Sequence, residues 1–218
     1  MIKHKKFTFN PFSENTYVVY DDSDQCVIID PGCYSPAEKE MLKDFINNNG
    51  LKPEKIINTH CHIDHILGLE FVADTWDLKT YFHEAEMSIY RSGSVTAMAY
   101  GIPFRQPDVP VEMIDMQSDI SFGNSKFEIL FTPGHSPGSV SLLHRESKSV
   151  FCGDVLFQNS IGRIDLPGAD PSAMKETLMD KMMSLDDDIN VYSGHGPDTS
   201  IGDERVSNPF IKQPNLIY

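Results

Sequence analysis

The chain has 218 residues, 40% of them apolar and 23% charged, with a formal net charge of −14. That length suits one domain over residues 1–218 whose core buries roughly 70% of the unfolded surface. The acidic balance argues against nucleic-acid or anionic-membrane partners. No stretch approaches the roughly 20 apolar residues of a membrane span, and no apolar core follows Lys3, Lys5 and Lys6, so a cytosolic location is expected.

The opening reads as a β meander: Lys6–Phe9, Thr16–Tyr20 and, after a polar turn, Cys26–Asp30, stopped by Pro31-Gly32. Pro36 to Asn49 fits an amphipathic helix with Ala37, Met41, Leu42, Phe45 and Ile46 on one face and Gly50 as its stop. Strand Lys55–Asn58 leads into the run Thr59-His60-Cys61-His62-Ile63-Asp64-His65, then a helix to Trp76 and a short strand at Thr80–Phe82. Between Arg91 and Pro110 the periodicity fails, while Met98, Tyr100, Ile102 and Phe104 stay apolar. An active-site wall or lid and a surface loop tucked onto itself both fit that pattern.

The second half loosely repeats the first. Strands are expected at Lys126–Phe131, Ser139–His144, Ser149–Cys152 and Asn190–Ser193. Asp170-Pro171 starts a helix to about Ser184, with Met174, Leu178 and Met182 facing inward. The acidic clusters Asp21-Asp22-Ser23-Asp24 and Asp186-Asp187-Asp188 read as solvated loops. Cys26, Cys33, Cys61 and Cys152 show no paired spacing and read as reduced, buried residues. The apolar tail Pro209–Tyr218 packs on its own domain or on a neighbour, and the oligomeric state is open.

Imidazole and carboxylate together suit a borderline metal. The ligand run supplies His60, His62, Asp64 and His65, and three downstream segments add Gly134-His135, Gly153-Asp154 and Gly194-His195. In an extended loop His60 and His62 face the same way, with Cys61 pointing away. His135 completes a first site with them; Asp64, His65 and His195 form a second, and the Asp154 carboxylate is suited to bridge the two. Two divalent ions are expected, zinc first, with iron or manganese as alternatives. A structural zinc would recruit cysteines and leave no open position. This donor set therefore reads as catalytic: a bridging hydroxide attacking an ester-like bond. Ser136 and Ser139 read as turn formers, not nucleophiles.

These segments, with Asp30-Pro31-Gly32 and Gly196-Pro197, resemble the metallo-β-lactamase superfamily. The resemblance implies an α/β fold: an αββα sandwich of two facing β-sheets with helices outside. It also implies that Asp30 orients the ligand loop without being a ligand. Asn15-Thr16-Tyr17, Gly153-Asp154-Val155-Leu156-Phe157, the segment Ser160 to Gly168 and the segment Glu204 to Phe210 look most like small glyoxalase II-like hydrolases. Such enzymes hydrolyse thioesters such as S-lactoylglutathione, so a small-molecule thioester is the expected substrate, with Asp64 orienting the hydroxide or taking its proton. The sequence ends at Tyr218, short of the helical region that supplies much of the glutathione contact in larger glyoxalase II enzymes, so the thiol carrier stays open. Arg163 and Asp165 either contact substrate or, the preferred reading, form a buried pair supporting the Asp154 loop. The alternative activity is a mononuclear iron persulfide dioxygenase, which shares most of these residues. Lactone, β-lactam or phosphodiester hydrolysis and a non-enzymatic binding role rank lower.

Overall fold

The computed structural model describes residues 1–218. Its strands and helices lie in four layers. The first sheet takes β1 (Lys3–Phe9), β2 (Glu14–Tyr20), β3 (Gln25–Ile29), β4 (Lys52–Ile57), β5 (Thr80–Phe82) and β6 (Val111–Met113), adjacent in that order. β1, β2 and β3 pair antiparallel, and the rest are parallel. The second sheet starts with β7 (Ile120–Phe122), β8 (Ser125–Phe131), β9 (Val140–His144) and β10 (Ser149–Gly153). A separate hairpin, β11 (Leu156–Phe157) and β12 (Ser160–Ile161), follows. β13 (Asn190–Ser193) then pairs parallel to β10, and β14 (Thr199–Ser200) closes that edge.

The apolar runs Tyr17–Val19 and Val27–Ile29 have no polar face, the mark of strands covered on both sides. Alternate residues serve different cores. Tyr17, Val19, Val27 and Ile29 meet Phe122, Phe127, Val140, Leu142 and Phe151 between the sheets. Val18, Cys26 and Ile28 face the opposite way, against Leu42, Ile46, Ile66, Leu69 and Val72. On the far side, Val150, Cys152 and Val191 pack on Met174, Leu178 and Met182, the helical face read from the sequence. The αββα sandwich is as expected, and the four cysteines are free and buried.

Helix α1 (Pro36–Asn48) begins at a capping box between Ser35 and Glu38. It buries Leu42 and Ile46, but Met41 is 55% exposed, so its inward face is narrower than the sequence suggested. The expected helix from Asp64 to Trp76 is two helices, α2 (Ile63–Ile66) and α3 (Leu69–Trp76). The break has a steric cause: a Cβ on Gly68 would lie 2.4 Å from Cys33 Sγ, and the Gly68 N–H donates to the Pro31 carbonyl (2.8 Å). Residues 91–110 are not all loop. α4 (Met87–Arg91) and α5 (Gly93–Ala99) are helical, with Tyr90 and Ala97 buried in the first core.

α6 (Pro171–Glu176) is capped by Asp170, which accepts from Ser172 N and Ala173 N, and helical turns continue to Ser184. α7 (Ile201–Ser207) and α8 (Pro209–Lys212) were not anticipated. Ile211 and Ile217 pack into the second-sheet core, so the tail folds on its own domain. No helix is long and apolar enough to cross a membrane.

Candidate metal centre

Seven side chains from four segments converge beside the sandwich. His60 and His62 follow β4, Asp64 and His65 open α2, His135 lies between β8 and β9, Asp154 follows β10, and His195 follows β13. The ligand atoms of His60, His62 and His135 lie within 4.8 Å of one another, and so do those of Asp64, His65 and His195. Asp154 stands between the two triads. Its Oδ2 is 3.5 Å from both His135 Nε2 and His195 Nε2, and its Oδ1 is 3.4 Å from His65 Nε2. The two triads and the intermediate carboxylate are grouped as the sequence predicted.

For His60, His135 and His195 the ring nitrogen not facing the cluster has a partner that fixes the tautomer. His135 Nδ1–H donates to the Arg163 carbonyl (2.8 Å), and His195 Nδ1–H to the Ser13 carbonyl (3.2 Å). His60 Nδ1 is 3.2 Å from Thr59 Oγ1, whose own proton goes to Asp30 Oδ2 (2.6 Å). Asp30 Oδ1 accepts from Thr59 N (2.7 Å), and His65 Nδ1 is 3.1 Å from Asp30 Oδ2. Asp30 thus has both oxygens engaged behind the ligand loop. It does so from a backbone held at φ 50°, a conformation non-glycine residues rarely adopt.

The atoms that face inward lack partners. His60 Nε2, His65 Nε2 and Asp154 Oδ1 are buried without a hydrogen bond. An unsatisfied buried polar atom costs about 1–3 kcal/mol, so three in one cluster need a common counterpart. His62 Nδ1 and His135 Nε2 approach to 2.8 Å, as nitrogen donors around a shared cation do. The residues present therefore fit divalent metal, with imidazole and carboxylate donors and no thiolate.

Electrostatics divide the cluster between the two triads. Burial, helped by the neighbouring imidazoles, pushes His60 well below the usual histidine range, and burial with His135 beside it brings His62 down to about 4. Both are neutral donors near pH 7. Burial opposes protonation of His65 too, but Asp64, Asp154 and Asp30 outweigh it and push its pKa well up. Burial would raise Asp154 and Asp64, yet the surrounding imidazoles hold both carboxyls down.

Arg163 and Asp165 correct the expectation of a buried support. They form a bidentate pair (2.9 and 2.8 Å), but both side chains are mostly exposed. Support for the ligand loops comes from the Arg163 main chain, which occupies the space beside His135 and leaves its side chain to the rim. Cys61 points away from the cluster into the apolar core, as alternation requires.

Sequence reasoning missed two buried acids. Glu86 accepts from Cys61 N (2.8 Å), Ser136 Oγ (2.6 Å) and Gly138 N (2.6 Å), tying the loop of His60 and His62 to the loop of His135. Glu14, at the start of β2, is fully buried behind Asp30, and burial pushes its carboxyl well up. The available signal was slight: Glu86 lies between Ala85 and Met87, and Glu14 leads into the apolar run Tyr17–Val19. The motif around Asn15 also gains a reason. Asn15 Nδ2 donates to the Ser193 and Gly196 carbonyls, and Tyr17 Oη to Ser193 O, holding the His195 loop.

The cluster opens into a cavity of about 550 Å³ that His62, Asp64, His135, Asp154 and His195 line. α4 and α5 supply one wall through Ile89, Val95 and Ala99, so part of the segment 91–110 is indeed a wall. A family model described as metallo-beta-lactamase superfamily matches residues 9–195. The probable metallo-hydrolase YqgX of Bacillus subtilis is 36% identical, covering 96% of this chain and 98% of that protein. The hydroxyacylglutathione hydrolase GloC of Haemophilus influenzae is 34% identical, covering 92% and 93%. Among solved structures, the BLEG-1 B3 metallo-beta-lactamase superposes with a TM-score of 0.88 at 34% identity, covering 96% of this chain and 99% of that one. TTHA1623 in a di-iron-bound form gives 0.85 at 37% identity, covering 94% and 99%. Agreeing in motif order, in fold and in extent of match, this chain belongs to the metallo-beta-lactamase superfamily of metallo-hydrolases.

Proposed function

We propose that this protein hydrolyses thioesters of the glyoxalase II type with two divalent ions, zinc first and iron or manganese as alternatives. His60, His62 and His135 would hold one ion, Asp64, His65 and His195 the other, and Asp154 would serve both. The observation that carries this reading is two ligand triads flanking one carboxylate at the floor of a single cavity. The similarity to a relative named as a hydroxyacylglutathione hydrolase supports the thioester, and a di-iron-bound neighbour supports a pair of ions.

When bound, such ions supply Lewis acidity toward a carbonyl oxygen and acidify water. The chain's own residues do the rest. Asp64 lines the cavity, and its Oδ2 is 3.1 Å from His195 Nε2, which fixes the carboxylate to orient the attacking water and take its proton. A departing thiolate needs no protein acid, because a thiol ionises near pH 8.5. The apolar wall of α4 and α5 limits water around the reacting group.

The test is metal content of protein purified without added metal, paired with S-lactoylglutathione hydrolysis on the same sample. Two ions per chain with turnover support the reading. One iron with persulfide-dependent oxygen uptake replaces it with the dioxygenase. A β-lactam, the substrate class in one neighbour's name, belongs in the same assay, and preferential turnover of it would displace the thioester.

A further inference from the structure

Glu204 in α7 and Asn208 at its C-cap are fully buried polar side chains outside the ligand cluster. Glu204 Oε2 accepts from Asn159 N and from Asn208 Nδ2, both at 2.8 Å, and its Oε1 accepts from Thr199 Oγ1 (2.6 Å). Asn208 Nδ2 also donates to the Ser160 carbonyl (3.0 Å), while its Oδ1 caps α8 by accepting from Phe210 N (3.0 Å). Asn159 stands at the turn of the β11–β12 hairpin with φ 56°, a conformation non-glycine residues rarely adopt. A buried carboxylate and a buried amide are thus both aimed at one small hairpin, an element that is at best marginal without outside support.

That hairpin leads from one ligand to the support of another. Asp154 precedes β11 by two residues, and Arg163 follows β12 by two. The Arg163 carbonyl takes the His135 Nδ1 proton (2.8 Å). The base of the hairpin has no slack: a Cβ on Gly162 would lie 1.9 Å from the Asp154 carbonyl oxygen and 3.2 Å from His135 Cβ. On the β11 side, Ser193 Oγ holds the Leu156 carbonyl (2.6 Å). On the β12 side, the strand that runs on to Arg163 has its Ser160 carbonyl on Asn208.

We propose that Glu204 and Asn208 are positioning residues of the metal centre. Through Asn159 N and the Ser160 carbonyl they fix the hairpin, and through the hairpin they fix the Arg163 carbonyl on His135. An imidazole held in this way offers its other nitrogen in one orientation and with raised basicity. The proposal rests on the metal-centre reading and not on the choice of bond hydrolysed.

The test uses the zinc-loaded full chain and four variants, read by zinc affinity against a chromogenic chelator and by the ring N–H signals of nitrogen-15-labelled histidines. Glu204→Ala removes the carboxylate. Asn208→Ser keeps a cap on α8 but loses the donation to Ser160. Both should bind zinc about tenfold more weakly, the usual cost of disturbing a ligand's outer partner. Both should also lose or shift the His135 Nδ1–H signal, while that of His195, held by the Ser13 carbonyl, persists. Glu204→Gln should restore wild-type values, because its Oε1 accepts from Asn159 N and Asn208 while its Nε2 donates to Thr199 Oγ1. Thr199→Val breaks a hydrogen bond to the same carboxylate but none to the hairpin, so it should lower the unfolding temperature alone.

Wild-type zinc affinity with an unmoved His135 signal in Asn208→Ser overturns the proposal, whatever happens to stability. Equal loss of the His135 and His195 signals overturns it too, since that is general loosening. Where Glu204→Ala does not fold, Asn208→Ser decides. A zinc-loaded wild type that leaves the thioester intact rejects that substrate and leaves the positioning role standing. A wild type that takes up no zinc rejects the metal reading, and the His135 signal read in that protein still supports or overturns the positioning.

Discussion

Glu86 contributes no atom to the ligand cluster, yet three donors from two ligand loops end on its carboxylate. In Glu86→Gln an amide NH₂ must face one of them, leaving a buried donor unpaired at about 1–3 kcal/mol. The variant should unfold several degrees lower and bind zinc at least tenfold more weakly, measured by thermal unfolding and competition with a chromogenic chelator; unchanged zinc affinity would deny Glu86 its positioning role. Asp154 stands within the cluster itself. Asp154→Ala should take the chain below two ions and abolish hydrolysis, and full activity at unchanged metal content would sink its intermediate role. The clustered histidines and acids were legible because type and spacing alone mark them. Glu86 was not, because its partners are main-chain N–H groups and a hydroxyl brought together only by the fold. Arg163 and Asp165 were legible as a pair, but short sequence separation says nothing about exposure.

Among the connecting loops, the segment bearing His135 is tightly fitted. Gly134 has φ 140°, and a Cβ there would lie 2.4 Å from Met174 Cα at the start of α6. Gly134→Ala should therefore cost about 2–3 kcal/mol through strain and overpacking and lower the metal content, which urea unfolding and metal analysis would detect. α5 offers the contrasting case. Ala99 stands on the cavity wall and is exposed, so Ala99→Trp should raise KM roughly tenfold by filling the cavity while metal content stays the same. An unchanged KM would show that substrate does not reach this wall. The long strands were legible from their unbroken apolar runs, and the helix after Asp170 from its cap. α4 and α5 were not, because Ser92-Gly93-Ser94 reads as a breaker. Gly93 is helical for reasons of contact: a Cβ there would lie 3.1 Å from Phe104 and 3.4 Å from Ile66.

For the molecule as a whole, the sequence pattern carried the four layers but not the strand order. The parallel pairing of β10 with β13 depends on a crossover through the helical segment starting at α6, which local pattern does not encode. The same layers bury all four thiols. Burial pushes Cys26, Cys33 and Cys152 up to about 12 and Cys61 well up, so each keeps its proton in the folded chain. Unfolded thiols ionise near pH 8.5. Above that pH the unfolded chain binds fewer protons than the folded one, and stability falls as pH rises, by up to about 1.4 kcal/mol per pH unit for each cysteine. Urea unfolding from pH 7.5 to 10 should show that decline, and Cys26→Ala should flatten it by one thiol's share. A flat profile would contradict the burial.

The first sheet ends at Met113 and the second begins at Ile120, with only a short turn between them. His60, His62, Asp64 and His65 lie before that turn; His135, Asp154 and His195 lie after it. The polypeptide is thus two complementary fragments, joined by the intersheet core, by the hydrogen bonds of Asn15, Tyr17 and Glu86 to the second half, and by whatever the seven side chains grip together. A protease site placed between Met116 and Asp119 should give a nicked protein that stays associated and active while metal is present. A strong chelator should then drive the pieces apart at low concentration, so that the ion behaves as a reversible splice between two halves of one chain.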